Sequence, residues 1–181
     1  MAAASLHLPL VCIASLRVEI MLTSLIYFFL LLATGNERWV ATYKGCTKKA
    51  YCFPPSVSFT FPSQRKRRAA KCCNKNLCNR GTVKLPPMQN KPNGLLCPGC
   101  FSTHSKCKAT ETIKCHGEER YCVYYDMTVE QGDQLYKFAK RGCGTKLACL
   151  NKPLVRGIPG LFVEVWKSAQ CISAPRLQKL T

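Results

Sequence analysis

Acidic side chains are scarce in this chain: nine Asp and Glu stand against 27 Lys and Arg, a formal net charge of +18. Histidine is scarcer still, with only His7, His104 and His116. General acid–base and metal-assisted catalysis draw on those residue types, so there is little to build either from. No Gly-rich phosphate loop, nucleophile elbow or paired-carboxylate arrangement occurs, and no catalytic residue or cofactor is implied. The sequence also has no Asn-x-Ser/Thr acceptor, so N-glycosylation is not expected. Convincing helical periodicity is missing from residue 36 onward, which points away from a helical fold. Hydrophobic residues nevertheless make up 47% of the 181, too many for a disordered polycation. A binding protein is the expectation.

What the chain has in quantity is cysteine, 14 in all. That density belongs to secreted scaffolds stapled by disulfides. The longest apolar run, Ile20 to Ala33, would be roughly 21 Å long as a helix, short of the roughly 30 Å hydrocarbon core of a bilayer. Small residues at Ala33-Thr34-Gly35 precede the polar Asn36-Glu37-Arg38. Residues 1–35 therefore read as an export signal cleaved near Gly35, with a retained anchor or a mis-assigned leader as the other readings.

The cysteines repeat. Lys44-Gly45-Cys46, then five residues to Cys52, returns as Arg141-Gly142-Cys143, then five residues to Cys149, and each copy is followed by a strand-like stretch and a further cysteine, Cys72 or Cys171. Five further cysteines precede the second copy (Cys97, Cys100, Cys107, Cys115, Cys122), whereas only Cys12 precedes the first. The first module, 36–79, thus reads as lacking its opening half. Pro86-Pro87 and Pro92-Asn93-Gly94 mark 80–96 as a linker without helix or regular strand. The second module is 97–171, followed by a tail, 172–181. Within it, Arg120 to Val129 and Gln134 to Cys143 flank a Glu130-Gln131-Gly132-Asp133 turn and read as a hairpin; Leu161 to Gln170 reads as a third strand. The expected fold class is all-β, in small modules with little core, each stabilised by bridges worth about 2 to 5 kcal/mol apiece.

The run Cys72-Cys73-Asn74-Lys75-Asn76-Leu77-Cys78-Asn79 resembles the closing signature of three-finger domains, the fold of snake neurotoxins and of lymphocyte antigen 6 and urokinase-receptor modules. Lys91-Pro92-Asn93-Gly94-Leu95-Leu96-Cys97-Pro98-Gly99-Cys100-Phe101 resembles the start of the second domain of gamma-type phospholipase A2 inhibitors. The similarity runs from about Arg38 to Cys171. It implies bridges Cys97 to Cys122, Cys100 to Cys107, Cys115 to Cys143 and Cys149 to Cys171, and, in the first module, Cys52 to Cys72 and Cys73 to Cys78. Cys46 is then expected to be unpaired: open to an intermolecular disulfide and hence to self-association, captured by Cys12 if the leader is kept, or, the favoured reading, left over from a chain whose first exons were lost or mis-assigned. The second module also ends without a Cys-Asn pair of its own.

Other motifs have plain readings. Cys97-Pro98-Gly99-Cys100 is a CxxC, but no matched second pair supports zinc, so a structural disulfide is expected and no metal site. His104 and His116 read as solvated loop residues. The densest charge, Gln64 followed by Arg65, Lys66, Arg67 and Arg68, reads as a solvated fingertip, or as a processing site, a nuclear signal or a patch for an anionic glycosaminoglycan or membrane surface. Nucleic acid is not expected as a partner, since aromatics are not interleaved with these charges. Tyr124, Tyr125, Tyr136 and Phe138 on the hairpin are candidate partner contacts, together with Arg65 to Arg68. The resemblance implies a secreted, extracellular, non-enzymatic protein that covers a secreted phospholipase A2. The alternative is a receptor-like or adhesion module that binds cell-surface proteins or glycosaminoglycans without affecting lipases.

Overall fold

The computed structural model describes residues 10–22, 37–75 and 77–176. Runs in which β-branched, aromatic and long polar residues alternate become strands, because that alternation buries one face of a pleated ribbon. The strands are β1 (Leu10–Leu22), β2 (Glu37–Lys48), β3 (Ser56–Phe61), β4 (Gln64–Cys73), β5 (Pro92–Ser102), β6 (Glu111–His116), β7 (Tyr121–Gln131), β8 (Gln134–Gly144), β9 (Leu154–Ile158) and β10 (Phe162–Ser173). Helix is confined, among the described residues, to the single 3₁₀ turns Lys49–Tyr51 and Lys146–Ala148. The fold is all-β, made of small disulfide-rich three-finger modules.

All strand pairs are antiparallel, and one hydrogen-bonded path runs β2-β1-β4-β3-β8-β7-β10-β9, with β5 joining β8 and β6 as a branch. The two modules therefore share one ladder. They meet where Phe59 and Thr60 of β3 pair with Gly144 and Cys143 of β8. Gly142, one residue further along β8, lies so close to Thr60 that a Cβ there would collide with its backbone carbonyl. A glycine is the residue that allows two backbones this near.

The core is also common to both modules. Phe53, Val57, Phe59, Phe61 and Ala70 of the first pack with Val123, Tyr125, Met127, Val129, Phe162 and Trp166 of the second. Phe59 meets Tyr125 edge-on at 5.9 Å between ring centroids, and Tyr43 stacks on Phe162 at 4.9 Å. Each such fully buried side chain contributes about 1.5 to 3 kcal/mol. The expectation of thin, nearly coreless modules thus changes: each is thin alone, and together they enclose apolar side chains. A second, smaller cluster at the base of the second module consists of Ile113 with Cys97, Cys115, Cys122 and Cys143.

Six bridges link Cys52 to Cys72, Cys73 to Cys78, Cys97 to Cys122, Cys100 to Cys107, Cys115 to Cys143 and Cys149 to Cys171. Cys46 departs from its expected orphan state: it is disulfide-bonded. Part of the expected leader also lies in the sheet. Its Leu10–Leu22 portion is strand β1, inserted between β2 and β4 with Cys12 in register with Cys46 and with Cys73. Residues 23–36, which carry most of the apolar run and the expected cleavage point, lie outside the described residues.

Two boundaries also differ. Strand β5 begins at Pro92, inside the expected linker, because Gly94 takes a positive φ of 80° and the Asn93 side chain ties the kink down. Its amide nitrogen donates to the Gly117 and Glu119 carbonyls, and its oxygen accepts from Leu95 N–H. At the other end, β10 runs to Ser173 and Leu95 bridges Arg176, so the start of the expected tail belongs to the sheet.

Candidate functional site: a cleft between the modules

Strand β4 opens with Gln64-Arg65-Lys66-Arg67-Arg68 directly after the Pro62–Ser63 turn. A strand sends successive side chains to opposite faces, and here the two sets have different partners. On one face, Arg67 donates to the Pro86 carbonyl and Arg65 to Asn90 Oδ1 at 3.0 Å, both clamping the linker. On the other, Lys66 and Arg68 reach Glu164 Oε1 of β10 at 3.4 and 2.6 Å, while Trp166 Nε1 donates to Glu164 Oε2 at 3.1 Å. Glu164 is completely buried. Its flanking cations and donors outweigh the cost of burial and hold the carboxyl at about 2, well below the usual carboxylate range. It stays ionised.

The run is therefore not a solvated fingertip, and Lys66, Arg67 and Arg68 are not available as partner contacts. Arg67 and Arg68 are buried, and Lys66 is nearly so. The positive charge is spent inside the molecule, opposite an acid of the other module.

Glu119 is the second buried acid at the junction. It accepts from Ser58 Oγ at 3.2 Å, Thr60 Oγ1 at 2.7 Å and His116 N–H at 3.2 Å. These donors are neutral, and burial pushes its carboxyl above the usual value. His116 is correspondingly not a solvated loop residue; burial and the Arg65 guanidinium lower its pKa.

Between the modules lies an open cleft of about 210 Å³. Its second-module wall is one face of the β5–β8–β7–β10 sheet: Phe101, Tyr136, Phe138, Met127, Val129 and Phe162, with Lys140 among them. The register explains this grouping, since Tyr136, Phe138 and Lys140 sit opposite Val129, Met127 and Tyr125. Tyr43, Gln64 and Lys66 close the other side. Lys140 Nζ lies 4.7 Å from the Phe138 ring centroid, 5.2 Å from Phe101 and 5.6 Å from Phe61, and donates to Gln64 Oε1 at 3.0 Å. Burial, with Lys66 and Arg68 adding repulsion, lowers its pKa to about 7 despite the attraction of Glu164. Burial likewise lowers Lys66 to about 8.

Of the aromatic candidates, the cleft brings together Tyr136 and Phe138. Tyr125 is 1% exposed and donates its hydroxyl to the Ala148 carbonyl, so it belongs to the core. Tyr124 lies buried on the opposite face beneath the Arg141 guanidinium, 4.4 Å from the ring. Tyr125 is closed to a partner, and Tyr124 lies outside the cleft. Lys140, Phe101 and Glu164 were not singled out from the sequence; counting on by two from Tyr136 and Phe138 would have reached Lys140.

The rim of the second module carries apolar side chains in water: Phe101, Leu135, Tyr136 and Leu161 are each at least 42% exposed. The sulfurs of Cys97, Cys115 and Cys143 lie within 4.8 Å of one another, but every one is taken up in a bridge and offers no thiolate. Among the described residues no helix is long and apolar enough to cross a membrane.

A model of the u-PAR/Ly-6 domain matches residues 30–81 and 93–174. The chain belongs to this family. Individual relatives include Protein RoBo-1 of Rattus norvegicus, 27% identical over 128 residues, covering 70% of this chain and 50% of that protein. A phospholipase A2 inhibitor gamma chain of Elaphe climacophora is 33% identical over 113 residues, 60% of this chain and 55% of that protein. The corresponding inhibitor of Laticauda semifasciata is 29% identical over 99 residues, 52% of this chain and 50% of that protein. The chain spans about half the length of the curated relatives it matches. Its disulfide-rich u-PAR/Ly-6 modules and these relatives are consistent with an extracellular location.

Proposed function

We propose that the protein is a secreted, non-enzymatic binding protein that associates with a secreted phospholipase A2 and sterically blocks its access to lipid. The observation that carries this reading is the similarity, at 29 to 33% identity, to gamma-type phospholipase A2 inhibitors across the u-PAR/Ly-6 modules. The geometry supports it by supplying a surface of the right kind. Exposed side chains on a rigid sheet cover a partner at low entropic cost, and aromatic ones such as tyrosine are enriched among the residues that carry binding energy at protein interfaces. Tyr136 is exposed near the end of the β7–β8 hairpin on the same sheet face as Phe138, whose ring centroid lies 5.9 Å from that of Phe101, while Leu135 is exposed on the opposite face. The surplus cations outside the buried network would steer an acidic phospholipase toward this rim, raising encounter rate more than final affinity.

Surface plasmon resonance with immobilised secreted phospholipases A2 of differing charge tests the proposal. Saturable binding is expected, faster in association for acidic enzymes and slowed by salt. Absence of binding at micromolar protein, together with salt-sensitive retention on heparin, would favour the adhesion or glycosaminoglycan reading instead.

A further inference from the structure

The cleft between the modules has a chemistry that steric blocking of an enzyme does not use. Its walls are aromatic and aliphatic, from Phe101, Met127, Val129, Phe138 and Phe162, and two ammonium groups, Lys66 and Lys140, reach into it. Lys66 is matched to Glu164. Lys140 is not: its hydrogen-bond partner is the neutral Gln64 amide, and the rest of its surroundings are ring faces. Counting the charges around Lys140, β4 supplies Lys66 and Arg68, β10 supplies Glu164, and β2, β3, β5 and β7 supply aromatic or apolar groups. Three cations thus face one carboxylate. An anion beside Lys140 would balance the excess, and an apolar chain attached to that anion would fill the space between the rings.

We propose that the inter-module cleft is a binding site for a free fatty acid, its carboxylate paired with Lys140 and its acyl chain lying between the Phe101–Phe138 wall and Tyr43. The site draws on both modules, so a ligand in it adds a further contact between them. The proposal does not depend on phospholipase binding.

Isothermal titration calorimetry of the full chain with decanoate, decanol and a lysophosphatidylcholine, each below its aggregation threshold, tests it. Decanoate is expected to bind saturably at one site, at least about tenfold more tightly than decanol or the zwitterionic lipid. For the unaltered protein, decanoate affinity should fall as pH rises from about 6 to about 9, because Lys140, and above it Lys66, lose their protons over that range. Lys140→Met keeps the apolar stem and removes the charge; it should weaken decanoate about tenfold and leave decanol unchanged, with no fall in melting temperature. Equal affinity for decanoate and decanol, tighter binding of the lysophospholipid, a flat pH profile, or no saturable binding by the unaltered protein would each overturn the assignment. The titrations of the unaltered chain decide the matter even if the variant misfolds.

Discussion

The two buried carboxylates at the module junction show how environment decides what an acid does. Glu164 faces two cations and an indole N–H; Glu119 faces two hydroxyls and a peptide N–H. Replacing Glu164 by Gln leaves Lys66 and Arg68 buried without their counter-charge, and about 3 to 5 kcal/mol of stability should be lost. Glu119→Gln should change stability by no more than about 1 kcal/mol. Its Oε2 position can still accept from Thr60 and His116, and the amide nitrogen can donate to the Ser58 hydroxyl. Urea denaturation of the two variants measures the contrast. The pH dependence follows with its sign. Glu164 has a folded pKa of about 2 against an ordinary 4.5, so its stabilisation is full above 4.5 and disappears as pH falls through about 4.5 to about 2. Lys140 works in the other direction: with a folded pKa of about 7 against an ordinary 10.5, the unfolded chain binds more protons between those values. Stability should therefore rise with pH across that window. Thermal melts at intervals from pH 2 to 10 should show both slopes, the first missing in Glu164→Gln and the second reduced in Lys140→Met.

At the scale of elements, the β7–β8 hairpin and the β4 strand make opposite demands on sequence reading. The hairpin end projects apolar side chains into solvent, so Leu135→Asp combined with Tyr136→Asp should abolish measurable phospholipase binding in the plasmon-resonance assay while leaving the melting temperature within about two degrees, since exposed positions contribute little to stability. That hairpin was legible because Tyr121 to Gln131 and Gln134 to Gly144 are aromatic and β-branched around a Gly132-Asp133 turn, a purely local signal. Strand β4 was not. Five consecutive polar residues carry no local sign that Arg67 and Arg68 will be buried and Lys66 nearly so; the acid that pairs with Lys66 and Arg68 lies 98 and 96 residues away. The same limit hid β1, whose Leu10–Leu22 stretch borders the longest apolar run and reads as part of a leader until its two strand partners are known. Proline misled at β5, where the kink at Asn93 and Gly94 lets a strand begin at Pro92.

For the whole molecule, a shared ladder and a shared aromatic core mean that neither module is complete as an energetic unit. A single cooperative transition by calorimetry is expected, with coincident loss of near- and far-ultraviolet circular dichroism; two separated transitions would show that the modules fold independently. Full reduction of the bridges should unfold the chain at 37 °C, since each bridge in such small domains contributes about 2 to 5 kcal/mol. The proposed function rests on the similarity to gamma-type phospholipase A2 inhibitors, and the exposed Phe101, Leu135, Tyr136 and Leu161 of the second module are the side chains proposed to meet the enzyme. Titration of the protein into a secreted phospholipase A2 hydrolysing phosphatidylcholine vesicles tests that most directly. Hydrolysis should fall to a plateau at stoichiometric protein and recover in the Leu135→Asp, Tyr136→Asp double variant. Undiminished hydrolysis at micromolar protein across a panel of such enzymes, or equal inhibition by the double variant, would contradict it.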